Sequence, residues 1–353
     1  MRIYGLDAIR IICAAIVALG HFPFDFTESL TPALGSTAAN FVDALLGNAF
    51  NGPAAVIVFF VLSGFVIHLP YTSGRKFFWG EFAARRYTRI IPPLVIFMIL
   101  SFAFGRPVTD WDWNNTVLWS VICELIYYTM YPALRRLRVS FLNQTFVAFG
   151  VAAALGIAGW PVVESSGEDY VVFGYFTFLL GLPAWLAGCA LAERRERFRV
   201  LTPAAMWAMR VAIFALSVIF RAIKFHGEPY VGVGASNVYL LTVLALPTTI
   251  WLGFEAKYYA ERTNRSVRLL DRGGAASYSL YLVHTLALTA LANVLVLGDI
   301  GSFVIYGLAT TLGTIVFYWM VERPSHLLAR RFGSAARSRR EMGEQEARLR
   351  SPS

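Results

Sequence analysis

Apolar runs of roughly 20 residues, the length that crosses a ~30 Å hydrocarbon layer as a helix, recur along the whole chain and leave room for almost no other kind of fold. They lie near 6–24, 53–70, 86–104, 116–134, 141–160, 171–192, 205–225, 236–255, 277–297 and 302–321. In lipid a segment must satisfy its own backbone hydrogen bonds, so isolated runs of this length become helices. The expected fold class is therefore all-α: a polytopic membrane helical bundle with about ten transmembrane helices. Composition agrees, since 57% of the 353 residues are hydrophobic and 15% charged, a balance outside that of ordinary soluble domains. The run that begins at Arg86 carries Pro92 and Pro93, which predicts a helix bent or broken at the prolines.

The gaps between runs give an orientation, because cationic loops are retained on the cytoplasmic side. Segments 71–89, 135–140, 193–204 and 256–276 are rich in Lys and Arg, whereas 27–52, 161–170 and 298–301 contain neither. The gap at 105–115 holds only Arg106, and Lys224 sits at the edge of the one at 226–235. This unbroken alternation predicts an even number of crossings with both termini cytoplasmic. The first run carries Asp7 and Arg10 and lacks a small-residue cleavage site, so it is expected to stay as the first helix. Residues 1–324 read as one transmembrane domain, and 325–353 as a basic cytoplasmic tail, disordered, serving as a positive-inside anchor or lying on anionic lipid. The cations lie between apolar runs and not on a polar domain, so nucleic acid is not an expected partner. Cys13, Cys123 and Cys189 are odd in number, sit in apolar segments and lack metal-ligand spacing, which predicts free thiols and no metal.

Ionisable groups in the bilayer cost ~2.5–3.5 kcal/mol each on insertion scales, so they face a protein interior or a water-filled cavity. Asp7, Arg10 and His21 fall on one face of the first helix, with His21 about 16 Å above Arg10. Arg10 and His21 can be interfacial flanks or members of a site. In the fourth run, Ser120, Glu124, Tyr127 or Tyr128, and Tyr131 follow helical steps along a polar stripe. Glu124 then lies ~12 Å below the outer end, close enough in depth to meet His21. A carboxylate against imidazole fixes its tautomer and raises its basicity, as a general base requires; the bland alternative is a structural Glu–Arg or Glu–Tyr pair. Arg85, Arg86 and Arg89 precede the two prolines at the cytoplasmic mouth of the third run. They serve topology alone, or their guanidinium forks take a multiply charged phosphate. Ser63 and Gly64 permit close helix packing, and so does the small-residue start of the run at 277. His284 lies about two turns into that run, as a bonded core residue or a participant in chemistry. His68 reads as interfacial.

Together these segments resemble the acyltransferase-3 family of bacterial integral-membrane acyltransferases. The resemblance is carried by Gly5-Leu6-Asp7-Ala8-Ile9-Arg10 with His21 downstream, Phe59-Phe60-Val61-Leu62-Ser63-Gly64-Phe65, and Arg86-x-x-Arg89-Ile90-x-Pro92. It continues through Trp119-Ser120 with Glu124 and Tyr127-Tyr128, Ser277-Tyr278-Ser279-Leu280-Tyr281-Leu282-Val283-His284, and Glu322-Arg323-Pro324. One departure is Asp7-Ala8 where members often have Asp-Gly. The resemblance implies acyl-coenzyme A, most commonly acetyl-CoA, as a cytoplasmic donor, O-acylation of a carbohydrate or related acceptor, and location in the bacterial cytoplasmic membrane. It also implies that His21 is the essential catalytic residue. The expected site then comprises His21, Glu124 and Arg10 for catalysis, and Arg85, Arg86, Arg89 and Arg10 for coenzyme A. Tyr127, Tyr128, Ser120 and His284 are expected to contact substrate. His21, oriented by Glu124 or Asp25, shares a hydrated tunnel with that carboxylate and acts as general base or acyl relay. A proton-coupled transporter or flippase is the rival reading.

Overall fold

The computed structural model describes residues 5–22, 27–105, 117–158, 176–226, 237–262, 268–292 and 300–350. It is all-helical, with no strand among the described residues. Each of the apolar runs falls on a helix: α1 (Leu6–Gly20), α4 (Gly52–Thr72), α5 (Trp79–Ala103), α6 (Leu118–Arg136), α7 (Phe141–Ala158), α8 (Thr177–Arg194), α9 (Pro203–His226), α10 (Asn237–Glu261), α12 (Ser277–Ala292) and α13 (Ile300–Phe317). Between them lie α2 (Thr27–Leu34), α3 (Ser36–Ala49) and the short α11 (Arg268–Gly274); α14 (Arg323–Arg350) ends the series. Among the described residues, six stretches are long and apolar enough to cross a membrane: Ser36–Thr72, Trp79–Ala103, Phe141–Ala158, Pro203–Phe225, Val238–Glu261 and Ile300–Glu344. The chain is thus built as an integral membrane protein.

Helix α4 is apolar all round and lies at the centre, with 83% of its span buried, whereas the span in α9 is 6% buried and turns almost its whole surface outward. A helix without a polar face must be enclosed by protein or by lipid, and these two take the opposite solutions. The tightest packing is α4 on α8. A Cβ on Gly64 would collide with the backbone carbonyl of Trp185, and one on Gly188 with that of Val61, so the two backbones touch through glycine as small-residue interfaces allow. The Cys189 thiol donates to the Gly64 carbonyl at 3.4 Å across the same seam. Cys13, Cys123 and Cys189 are all free and buried.

Three expectations change. The first helix ends at Gly20, so His21 follows it, with its Nδ1 on the carbonyl of Val17 at 2.8 Å. Helix α5 begins a full two turns before Arg86 and runs without a break through Pro92 and Pro93. The segment after residue 324, expected to be disordered, is helical to Arg350. Its order has a physical cause: Ser325, Ala329 and Gly333 recur every fourth residue as a buried stripe, and the helix lies along α5. Gly333 meets the side chain of Arg85, and the Arg340 guanidinium stacks 3.2 Å from the Phe78 ring centroid.

Candidate active-site cleft

Helix α5 packs along α14 and touches α6 and α12 only lightly, so a cleft opens between α5 and the rest of the bundle. It encloses ≈ 880 Å³ of atom-free space, part of it continuous with solvent. One end carries Arg10, Arg86, Arg89, Ser277 and Tyr278, the middle Ser63, Glu124 and Tyr128, and the far end Val56, Phe59, Ser120 and Tyr281.

The basic end is set by helix periodicity. Arg86 and Arg89 stand three residues apart on α5 and so face the same way. Neither has a hydrogen bond or ion pair among the described residues. Arg10 joins them from α1, tethered at 3.3 Å to Asp7 one turn earlier. Arg85, one step round the helix, points elsewhere. It donates to Glu81 at 3.0 Å, a buried carboxylate that also takes Arg75, and the expectation that it faces the same ligand is corrected accordingly. Tyr278 closes this end by donating to the Ile90 carbonyl at 3.2 Å. Behind it, fully buried Glu322 sits in a π-helical turn, Tyr318–Glu322. It accepts from the Ser279 amide at 2.9 Å and from the Ser279 hydroxyl. Ser279 is in the first turn of α12, so this carboxylate satisfies a backbone donor that the helix cannot pair and meets its positive end.

In the middle, Glu124 accepts from Ser63 Oγ and from Tyr128 OH, each at 2.5 Å. Trp185 Nε1 supports Ser63 at 3.3 Å. The carboxylate therefore belongs to a Ser–Tyr pair and is not bonded to His21; the expected His21–Glu124 couple is not formed. Asp25, the other candidate for orienting His21, lies outside the described residues. The stripe on α6 is Ser120, Glu124 and Tyr128, spaced by four. Tyr127 leaves it, donating to the Phe178 carbonyl at 2.7 Å and packing on Phe60 and Trp185, which corrects its placement among substrate contacts. Tyr131, on that second face, donates to or accepts from His68 Nδ1 at 2.8 Å, making His68 a buried and not an interfacial residue.

At the far end Ser120 Oγ and Tyr281 OH are 2.6 Å apart, and Tyr281 also donates to the Val117 carbonyl at 3.0 Å. This pair forms the ceiling of the cleft. Beyond it the Tyr281 ring lies 6.0 Å from His284, whose ring is 5.0 Å from that of His21. His21 is thus outside the cleft lining, exposed at the end of α1, and the single tunnel expected to hold both His21 and Glu124 is replaced by a cleft and an adjoining histidine pair. Sequence reading missed Ser63, Tyr278 and Tyr281 as cleft residues. Ser63 sat in a string that reads as packing, and the two tyrosines in a run whose small residues pointed the same way.

The helices from α1 to α13 fall within the match to a single family. The acyltransferase-3 model, described as an acyltransferase domain, matches residues 3–319. No curated protein and no solved structure matches the chain. With most of its length covered by that one domain, and its polar residues gathered between membrane-length helices, the chain belongs to the acyltransferase-3 family and is a membrane acyltransferase.

Proposed function

We propose that the protein transfers an acyl group, acetyl in the commonest case, from cytoplasmic acyl-coenzyme A to a hydroxyl of a carbohydrate or related acceptor. The reading places ten helices across the bacterial cytoplasmic membrane with both termini inside. The observation that carries it is the pair of guanidiniums, Arg86 and Arg89, that make no hydrogen bond or ion pair among the described residues and stand beside Arg10 at one end of a cleft whose remaining walls are largely apolar. Unpaired arginines at such a place favour a polyanion, and their planar forks suit phosphate oxygens. The three cations would hold the coenzyme A phosphates. The pantetheine arm would then run past Glu124 and the apolar side chains of Val56 and Phe59 towards Ser120 and Tyr281.

His21, across the Tyr281 ceiling, takes the proton of the acceptor hydroxyl or carries the acyl group itself. Ser120, paired with Tyr281 at the ceiling nearest His21, is the cleft hydroxyl placed to stabilise a developing oxyanion, whereas Arg10 stands at the opposite end and Tyr128 donates to Glu124. Glu124, held by Ser63 and Tyr128, keeps the cleft polar at mid-depth.

The test uses the purified protein in lipid nanodiscs with acetyl-labelled acetyl-coenzyme A. Wild type cleaves the thioester, and His21→Ala binds coenzyme A normally but does not turn over. Turnover by His21→Ala at the wild-type rate would remove that residue from the chemistry.

A further inference from the structure

The mechanism above leaves His284 unused. His284 is fully buried, and its Nε2 has no hydrogen-bond partner among the described residues. Its Nδ1 lies 3.2 Å from the Leu280 carbonyl, as His21 Nδ1 lies 2.8 Å from that of Val17. A carbonyl oxygen only accepts, so in each neutral ring Nδ1 carries the proton and Nε2 keeps its lone pair. The residue that caps α1 and one within α12 thus present imidazoles of the same tautomer, tilted 54° with centroids 5.0 Å apart. A buried acceptor without a donor is costly and rare in folded proteins. A substrate hydroxyl would supply the missing donor.

We propose that His284 is the general base of the second half of a two-step transfer in which His21 carries the acyl group. This rests on the acyl-coenzyme A reading given above. In the first half, His21 Nε2 attacks the thioester carbonyl carbon, the carbon–sulfur bond breaks, and coenzyme A leaves as the thiolate. His21 then has an acyl group on Nε2 and a proton on Nδ1, and no lone pair remains to accept another proton. In the second half the acceptor oxygen attacks the acyl carbon, the carbon–nitrogen bond breaks, and its electron pair returns to His21 Nε2. The hydroxyl proton passes to His284 Nε2. Loss of that proton from His284 and protonation of the thiolate complete the balance: thioester and alcohol become ester and free thiol. The two rings divide what one ring cannot do at once.

The experiment follows both halves in nanodiscs, with acetyl-labelled acetyl-coenzyme A as donor and methyl glucoside as the probe acceptor. His284→Asn keeps an N–H for the Leu280 carbonyl and removes Nε2. Wild type and His284→Asn should both release coenzyme A in a rapid stoichiometric phase, and the variant should retain acid-labile label that is absent in His21→Ala. Steady turnover to glucoside or water in the variant should fall at least ~10²-fold, the usual weight of a general base. His284→Ala should regain part of that turnover on addition of imidazole, which guards against misfolding as the cause of a loss. Unchanged turnover in His284→Asn overturns the assignment. Loss of the rapid phase along with turnover does so too, as does a wild type that transfers without any rapid phase or label. A wild type that never cleaves the thioester defeats instead the functional reading beneath it.

Discussion

Arg85, Arg86 and Arg89 illustrate how far a residue's neighbours decide its use. All three are cations within one helical turn and a half, yet Glu81 and Gly333 hold Arg85 away while the other two face the cleft with no hydrogen bond or ion pair among the described residues. Replacing Arg86 or Arg89 by Gln should raise the KM for acetyl-coenzyme A by roughly ten- to a hundredfold, since a charge-assisted hydrogen bond contributes ~1.5–3 kcal/mol. Arg85→Gln should leave KM near wild type. Adjacent Tyr127 and Tyr128 separate in the same manner. Tyr127→Phe loses the bond to the Phe178 carbonyl and should cost about 0.5–1.5 kcal/mol or more in thermal stability without altering kcat. Tyr128→Phe frees one side of the Glu124 carboxylate inside the cleft and should slow turnover by about tenfold or more. Chemical type and helical spacing were enough to single out Glu124, Ser120 and the arginine pair. Spacing alone could not divide Tyr127 from Tyr128, because both lie about one turn from residue 124 and about two turns from residue 120. Nor could it show that Ser63, from another helix, claims the carboxylate assigned to His21.

Among the helices, the seam between α4 and α8 depends on two glycines whose missing side chains let carbonyls of the partner approach. Gly188→Leu should force these helices apart, with a loss of about 3 kcal/mol or more, visible as a lower melting temperature and poor recovery from detergent. The existence of the helices was legible because twenty apolar residues have few other options. Their ends were less so: α5 starts at Trp79 through amphipathic character that hydropathy passes over, and α1 stops at Gly20. The helical tail was hidden because charge and polarity suggest disorder. Its order instead comes from Ser325, Ala329 and Gly333, a stripe that matters only once α5 is there to receive it.

For the molecule as a whole, the alternating basic gaps make a definite statement about sidedness. In a variant without its native cysteines, Val139→Cys should react with an impermeant thiol reagent from the cytoplasmic face only, and Leu34→Cys only from the opposite face. The reverse pattern at either site would invert the orientation on which donor access from the cytoplasm depends. The bundle shares its work unevenly between a buried centre at α4 and α8 and a largely outward-facing α9. The cleft lies on the other side of that centre, where α5 stands off from its neighbours.

That stand-off ties early chain to late chain. The wall bearing Arg86 and Arg89 gains its main support from a helix made some 240 residues afterwards, through Gly333 and Arg340. Since polypeptides emerge from the ribosome N-terminus first, a nascent chain can insert most of its helices long before this wall is braced. The cleft is therefore braced only once α14 has followed the other helices, and a nascent chain inserted without it lacks a finished site in which acyl groups could be lost to water.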